Sequence, residues 1–181
     1  MNTKRRRNIE MYPYCYIYKG KKIFLVWQTK EDDQDTFELD SNNRLILSKS
    51  EHGLRDLLGP KSKRVKWSEG AEIDFDHFWD ALRRLKVGRS SSTKTCKILL
   101  DGWNFIEDLA RTIGLTQEMK RLHSPLLNKV YDKLFYGNNL PAVTPEGKSY
   151  SPLWLREEII SFRKEFHSIW KILKKSGYID G

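Results

Sequence analysis

Apolar and polar positions follow two different rhythms along this chain. Residues 12–19, "YPYCYIYK", and 22–28, "KIFLVWQ", are dense in the aromatic and β-branched types that fill pleated surfaces. Lys19-Gly20-Lys21 between them supplies the glycine that a tight hairpin needs, so the two runs predict an antiparallel pair. The stretch Glu31-Asp32-Asp33-Gln34-Asp35 is too polar and too like-charged for a core and predicts a solvated connection. Phe37 and Leu39 then alternate with Glu38 and Asp40, the pattern of a half-buried strand. Ser41-Asn42-Asn43 has turn chemistry, and Leu45 and Leu47 resume the alternation. Ser48 or Ser50 is placed to cap a short helix that ends near Leu58 and is stopped by Gly59-Pro60. Residues 12–60 are thus expected to form a four-stranded antiparallel sheet covered by one helix.

The rhythm changes to the helical period after the basic stretch Lys61–Lys66, which is expected as a linker. In "DFDHFWDALRRLK", Asp74 to Lys86, acids open the segment and Arg83, Arg84 and Lys86 close it, matching the helix dipole at both ends. Phe75, Phe78, Trp79, Leu82 and Leu85 share one stripe. "VGRSSSTK" reads as a flexible, basic loop. A second helix is expected from about Lys97 to Ile113, ended by Gly114, and a third region spans 116–136 with Ser124 and Pro125 as a helix start. "YGNNLPAVTPEGKSYS" predicts a long loop. The last helix is expected to start at Ser151 and Pro152. Its Leu155, Ile159, Phe162, Phe166, Ile169 and Leu173 recur every three or four residues, a seam that closes the helical half or, alternatively, a dimer. The fold class is therefore α+β: a small antiparallel sheet with a covering helix, followed by a mainly helical C-terminal half. The expected organisation is a basic flexible leader over 1–11, a sheet subdomain over 12–60, and a helical subdomain over 67–181 packed against it.

Charge adds a partner question. Thirty-three Lys and Arg against 24 Asp and Glu give +9, which allows nucleic acid, an anionic membrane or an acidic protein without choosing among them. The surplus is spread, net +6 over residues 1–66 and +3 over 67–181, and four of the cations sit together in Lys4-Arg5-Arg6-Arg7. Two cysteines, Cys15 and Cys96, without CxxC spacing, predict a reducing, cytoplasmic setting with no disulfide framework. No run approaches the ~20 apolar residues that cross a bilayer.

Catalytic signatures are missing. The histidines, His52, His77, His123 and His167, fall in separate predicted elements, with no HExxH and no Cys/His ligand pair. Asp76 and Asp80 are four apart, yet acids at a helix start are explained by the dipole. No Walker sequence, GxGxxG or GxSxG occurs. No catalytic residue, metal ligand or cofactor is therefore assigned. An enzyme with a scattered active site stays open as one alternative. Nucleic-acid binding is another: Arg5, Arg6, Lys63 and Arg64 are the candidate polyanion contacts, with Trp67 and the strand tyrosines available to stack on bases.

The order "YIYKGKKIFLVWQ" … "DTFELDSNNRLILSKSEHGLRDLLG" resembles the small β-rich beginnings of bacterial toxin-immunity proteins of the contact-dependent growth inhibition type, over roughly residues 12–59. That resemblance implies stoichiometric binding and steric occlusion of a cognate toxin domain, and no catalytic residues. Immunity proteins that oppose nucleases are commonly acidic, whereas this chain carries +9. The resemblance therefore implies one of two contacts. Either the local acidic patch Glu31, Asp32, Asp33 and Asp35 meets the toxin, or the protein recognises an acidic surface away from the toxin's active site. A monomer or weak dimer is expected.

Overall fold

The computed structural model describes residues 9–30 and 34–179 and has an α+β fold, a four-stranded sheet followed by a helical half. The chain divides into two compact units, one ending at Glu72 and one beginning at Ile73.

The first unit opens with strands β1, Ile9–Tyr18, and β2, Lys21–Lys30, paired antiparallel with Tyr14 opposite Leu25. Lys19 and Gly20 both take positive φ, 51° and 70°, which is the hairpin geometry the glycine allows. Ile9, Glu10 and Met11, expected as the end of the leader, already belong to β1; residues 1–8 lie outside the described residues. Strand β3 is only Thr36–Phe37, and the sheet order is β3-β2-β1-β4 with β4 at Ala71–Asp74.

That order corrects one expectation. The segment holding Leu45 and Leu47 forms no regular strand; it makes isolated bridges, Leu39 with Leu45 and Phe24 with Ser48. The cause is the corner before it. The Asp40 carboxylate accepts from Asn42 N at 2.8 Å and Arg44 N at 2.9 Å, while Asn43 takes φ 58°. This Asx-type corner consumes the residues that would have made a longer ladder.

Helix α1, Glu51–Leu58, is capped by Ser50, whose hydroxyl accepts from Gly53 N. Its Leu54 and Leu58 pack with Met11, Val26 and Val65, and with Phe24, Ile46 and Trp67 around them. The basic stretch after it is not an open linker. A 3-10 turn, Gly59–Arg64, leads into buried Val65, which bridges to Met11.

The second unit is helical: α2 Phe75–Arg84, α3 Thr93–Thr112, α4 Thr116–Leu122, α5 Pro125–Gly137 and α6 Arg156–Lys175. Asp74 caps α2 by accepting from His77 N. Arg163 of α6 donates to the carbonyls of Leu82, Arg83 and Leu85, satisfying the exposed end of α2. Phe75, Phe78, Phe105, Trp103, Phe162 and Phe166 form an aromatic core with ring centroids 4.7–6.5 Å apart along its contacts.

Two helix starts differ from expectation. Helix α3 begins at Thr93, capped by Ser92, one turn earlier than the apolar pattern indicated. Helix α6 begins at Arg156, and Ser151 and Pro152 precede it in extended chain. Pro152 offers its carbonyl to Ser91 N instead of starting a helix, and the Glu158 carboxylate takes the N–H of Leu155 at 2.9 Å. The expected seam survives from Ile159 to Leu173, but Leu155 is exposed.

Candidate protein-binding surface

Most sequence-assigned contact residues fall at the margins. Glu31, Asp32, Asp33, Arg5 and Arg6 lie outside the described residues, and Asp35 sits half-buried before β3. Lys63 and Arg64 are exposed at the end of the 3-10 turn and make no ion pair with a described residue. The aromatic partners named for base stacking are engaged within the unit. Arg55 lies 3.8 Å above the Trp67 ring, and the Trp67 indole donates to Ser62 O. Tyr12 packs on Trp27, Tyr14 packs edge-on against Phe37, and Tyr16 is buried.

The histidines remain apart, each beside its own neighbour. His52 lies near Asp56, His77 near Asp74 and His123 near Glu107, while His167 Nδ1 meets Arg163 O at 2.7 Å. Among the described residues no group of three or more His, Cys, Asp or Glu is placed to hold a metal. Burial pushes both the Cys15 and the Cys96 thiol up to about 11, so neither is poised as a thiolate.

Two surface features of the helical unit stand out. The first is a cleft of about 410 Å³ where α2 faces the start of α3, lined by His77, Asp80 and Arg84 from α2 and by Ser90, Ser92 and Lys94 from the chain entering α3. Asp80 is shared by Arg83 at 2.5 Å and Arg84 at 2.7 Å, which leaves a net positive rim with Lys94 exposed. Two of the cleft's hydroxyls are spent on structure. Ser92 Oγ caps Thr95 N at 3.2 Å, and Ser91 Oγ accepts from the Trp154 indole at 2.7 Å. Among the described residues no cleft hydroxyl is bonded to a histidine or carboxylate.

The second feature is a group of exposed apolar side chains carried by residues 136–155: Tyr136, Leu140, Val143, Tyr150, Leu153 and Leu155. Tyr136 and Tyr150 meet edge-on at 6.5 Å. Their backbone is fixed. Asn139 pins the two ends of the loop, its amide donating to Tyr150 O at 2.9 Å and its carbonyl oxygen accepting from Tyr150 N at 2.6 Å. Trp154 of the same stretch is buried, its indole bonded to Ser91. Large apolar residues that remain in water on a fixed scaffold are the anatomy of a protein-binding patch.

Sequence reasoning missed this surface. Tyr136, Leu140, Val143 and Tyr150 flank or lie in a long Gly/Pro/Asn loop, and Leu153 and Leu155 were absorbed into a helix start. The available signal was the presence of several large apolar residues in a segment with no period to bury them. Among the described residues no helix is long and apolar enough to cross a membrane. Comparison of the chain with protein-family models, curated proteins and solved structures gives no match.

Proposed function

We propose that this protein is a cytoplasmic binding inhibitor of the immunity type, which occludes a cognate toxin domain stoichiometrically and performs no turnover. The observation that carries the reading is the exposed apolar and aromatic group on residues 136–155, whose loop is closed by the bonds between Asn139 and Tyr150. Exposing such side chains is unfavourable by roughly 25 cal/mol per Å² of apolar surface, and covering them with a partner recovers that term. The order of strands, turn and short helix over residues 12–59 supports the same reading. Buried aromatic anchors would supply most of the affinity, and charge would steer the encounter.

Pull-down from the native host, co-expression with the toxin domain so captured and titration of the purified pair test the reading. Rescue of growth and a one-to-one complex are expected. Retention of no protein partner, together with submicromolar binding of RNA or DNA that weakens steeply with salt, would sink it.

That second outcome belongs to the alternative, a nucleic-acid-binding protein working through Arg5, Arg6, Lys63 and Arg64. Exposure of Lys63 and Arg64 favours it, whereas the occupied face of Trp67 removes one stacking platform.

A further inference from the structure

The stretch expected as a flexible basic loop, residues 87–94, is pinned to the chain that enters α6. Gly88 N donates to Trp154 O at 3.0 Å, and Ser91 N donates to Pro152 O at 3.1 Å. Ser90 bridges to Leu153, and the Asn139 amide reaches Thr93 Oγ1 at 2.9 Å. Gly137 is what lets α5 approach: a Cβ there would lie 2.5 Å from Cys96 Sγ and 3.0 Å from Pro152 Cδ. Residues 86–94 and 136–156 therefore make one fixed platform, and the α2–α3 cleft opens beside it because Ser90, Ser91, Ser92 and Lys94 belong to both.

The platform is apolar and cationic together. Val87 and Leu153 are 59% and 58% exposed, Leu153 bridging to Ser90, and Tyr136 and Tyr150 on the second segment are exposed as well. Its two segments hold Lys86, Arg89, Lys94, Lys148 and Arg156 against the single acid Glu146, all exposed. None of the five cations pairs with an acid among the described residues.

We infer that this platform is the docking face for an acidic protein surface, whose apolar residues cover Val87, Tyr150 and Leu153 while one of its carboxylate side chains enters the cleft towards Lys94 and Arg84. The inference rests on the protein-binding reading and names the partner's chemistry. Charge complementarity selects an acidic occupant: five cations without an acidic partner among the described residues, on the segments that also expose the apolar side chains, attract an anionic surface and repel a second copy of this chain, which would bring the same five. Shape selects a protein. A bilayer offers no protruding side chain to fill a concave cleft of about 410 Å³. A nucleic acid would satisfy the cations but set its polar backbone against the large apolar side chains, contrary to the polar character of such interfaces.

The test uses the full chain labelled with ¹⁵N, titrated with a synthetic peptide that alternates glutamate with leucine and tyrosine. Parallel titrations use a peptide with lysine in place of glutamate, a single-stranded oligonucleotide, and phosphatidylcholine vesicles containing phosphatidylglycerol. The expected result is amide shifts confined to 86–98 and 136–156 with the acidic peptide alone. Affinity should fall by ~10-fold or more in the double variant Arg89→Glu/Lys94→Glu and again in Leu153→Asp. These positions are exposed, and an unchanged spectrum elsewhere certifies the fold of each variant. Absence of binding by the acidic peptide, shifts outside the platform, tighter binding of the oligonucleotide or vesicles there, or indifference to the charge reversals would overturn the inference. Growth rescue by the toxin assay with a failed peptide titration moves the inhibitory contact to another face. A successful titration without rescue leaves the docking chemistry intact and removes the inhibitor reading.

Discussion

Glu158 is one of two polar residues buried in the described chain, 2% exposed, and it does two jobs at once. Its carboxylate receives Lys133 Nζ at 2.7 Å and Leu155 N at 2.9 Å, while Lys133 also reaches Leu153 O at 2.7 Å. Glu158→Ala would leave a half-buried ammonium and a helix-start N–H without their acceptor. A loss of about 2–4 kcal/mol in urea unfolding is expected, since breaking one side of a buried pair costs more than the pair contributes. The exposed pair His52–Asp56 makes the contrast: Asp56→Ala should change stability by less than ~0.5 kcal/mol. The cysteines give a second prediction. Burial holds both thiols at about 11 against an ordinary 9.0, so the unfolded chain loses these protons first. Between those values the unfolded state binds fewer protons than the folded one, and stability falls as pH rises. Tyr131, raised mainly by burial with Glu107 and Asp108 adding to it, acts in the same direction at higher pH. Denaturant midpoints should therefore hold steady below about pH 9 and decline from there to about pH 11. At pH 8 a disulfide reagent should label the native thiols ~100-fold or more slowly than the unfolded ones.

Helix α3 crosses α2 at Gly102, and the crossing is possible only because that residue has no side chain. A Cβ there would lie 2.2 Å from Phe78 Cδ2 and 2.7 Å from Cε2, and Phe78 is fully buried among aromatic rings that cannot yield. Gly102→Ala gains roughly 1 kcal/mol of helix propensity, yet the overlap should outweigh it. A net loss of about 2 kcal/mol or more in thermal or urea unfolding is expected; a stabilised variant would show that the two helices separate without cost. Such close approaches were hidden in the sequence, where Gly102 is a weak point inside an apolar run. What sequence did disclose were elements whose determinants are local. Asp74 with its following acids marked the start of α2, Lys19-Gly20 marked the hairpin, and the Ile159–Leu173 spacing marked the buried face of α6. Elements set by distant partners were not legible. Strand β4 has one buried residue, Ile73, and no alternation to find, and Ser151-Pro152 carries a helix-start signature that pairing with residues 90–91 overrides.

At the scale of the whole molecule the positive charge has two separate origins, and they predict different things. Lys4–Arg7, Lys63 and Arg64 give a diffuse basic character that any polyanion would feel, and it was the part visible in the sequence. The five cations of the 86–94 and 136–156 platform are scattered through 71 residues of chain, and the bonds of Gly88, Ser91 and Asn139 join the two segments that carry them. Reversing charge at Arg5, Arg6, Lys63 and Arg64 removes the first source and leaves the second. If protein docking at the platform is the function, that fourfold variant should bind the toxin domain with a dissociation rate unchanged within ~2-fold. Its association rate should fall by ~10-fold or less, because charge that takes no part in the contact only steers the encounter. Arg89→Glu with Lys94→Glu should instead raise the dissociation rate, since those side chains lie in the contact itself. Stopped-flow association and surface-based dissociation, each at low and high salt, separate the two. The nucleic-acid alternative predicts the reverse order: the fourfold variant would lose most affinity for an oligonucleotide and flatten its dependence on salt, because each neutralised phosphate contributes to that slope. A chain in which the fourfold variant abolishes toxin binding while the platform variant leaves it untouched would place the working surface in the first unit.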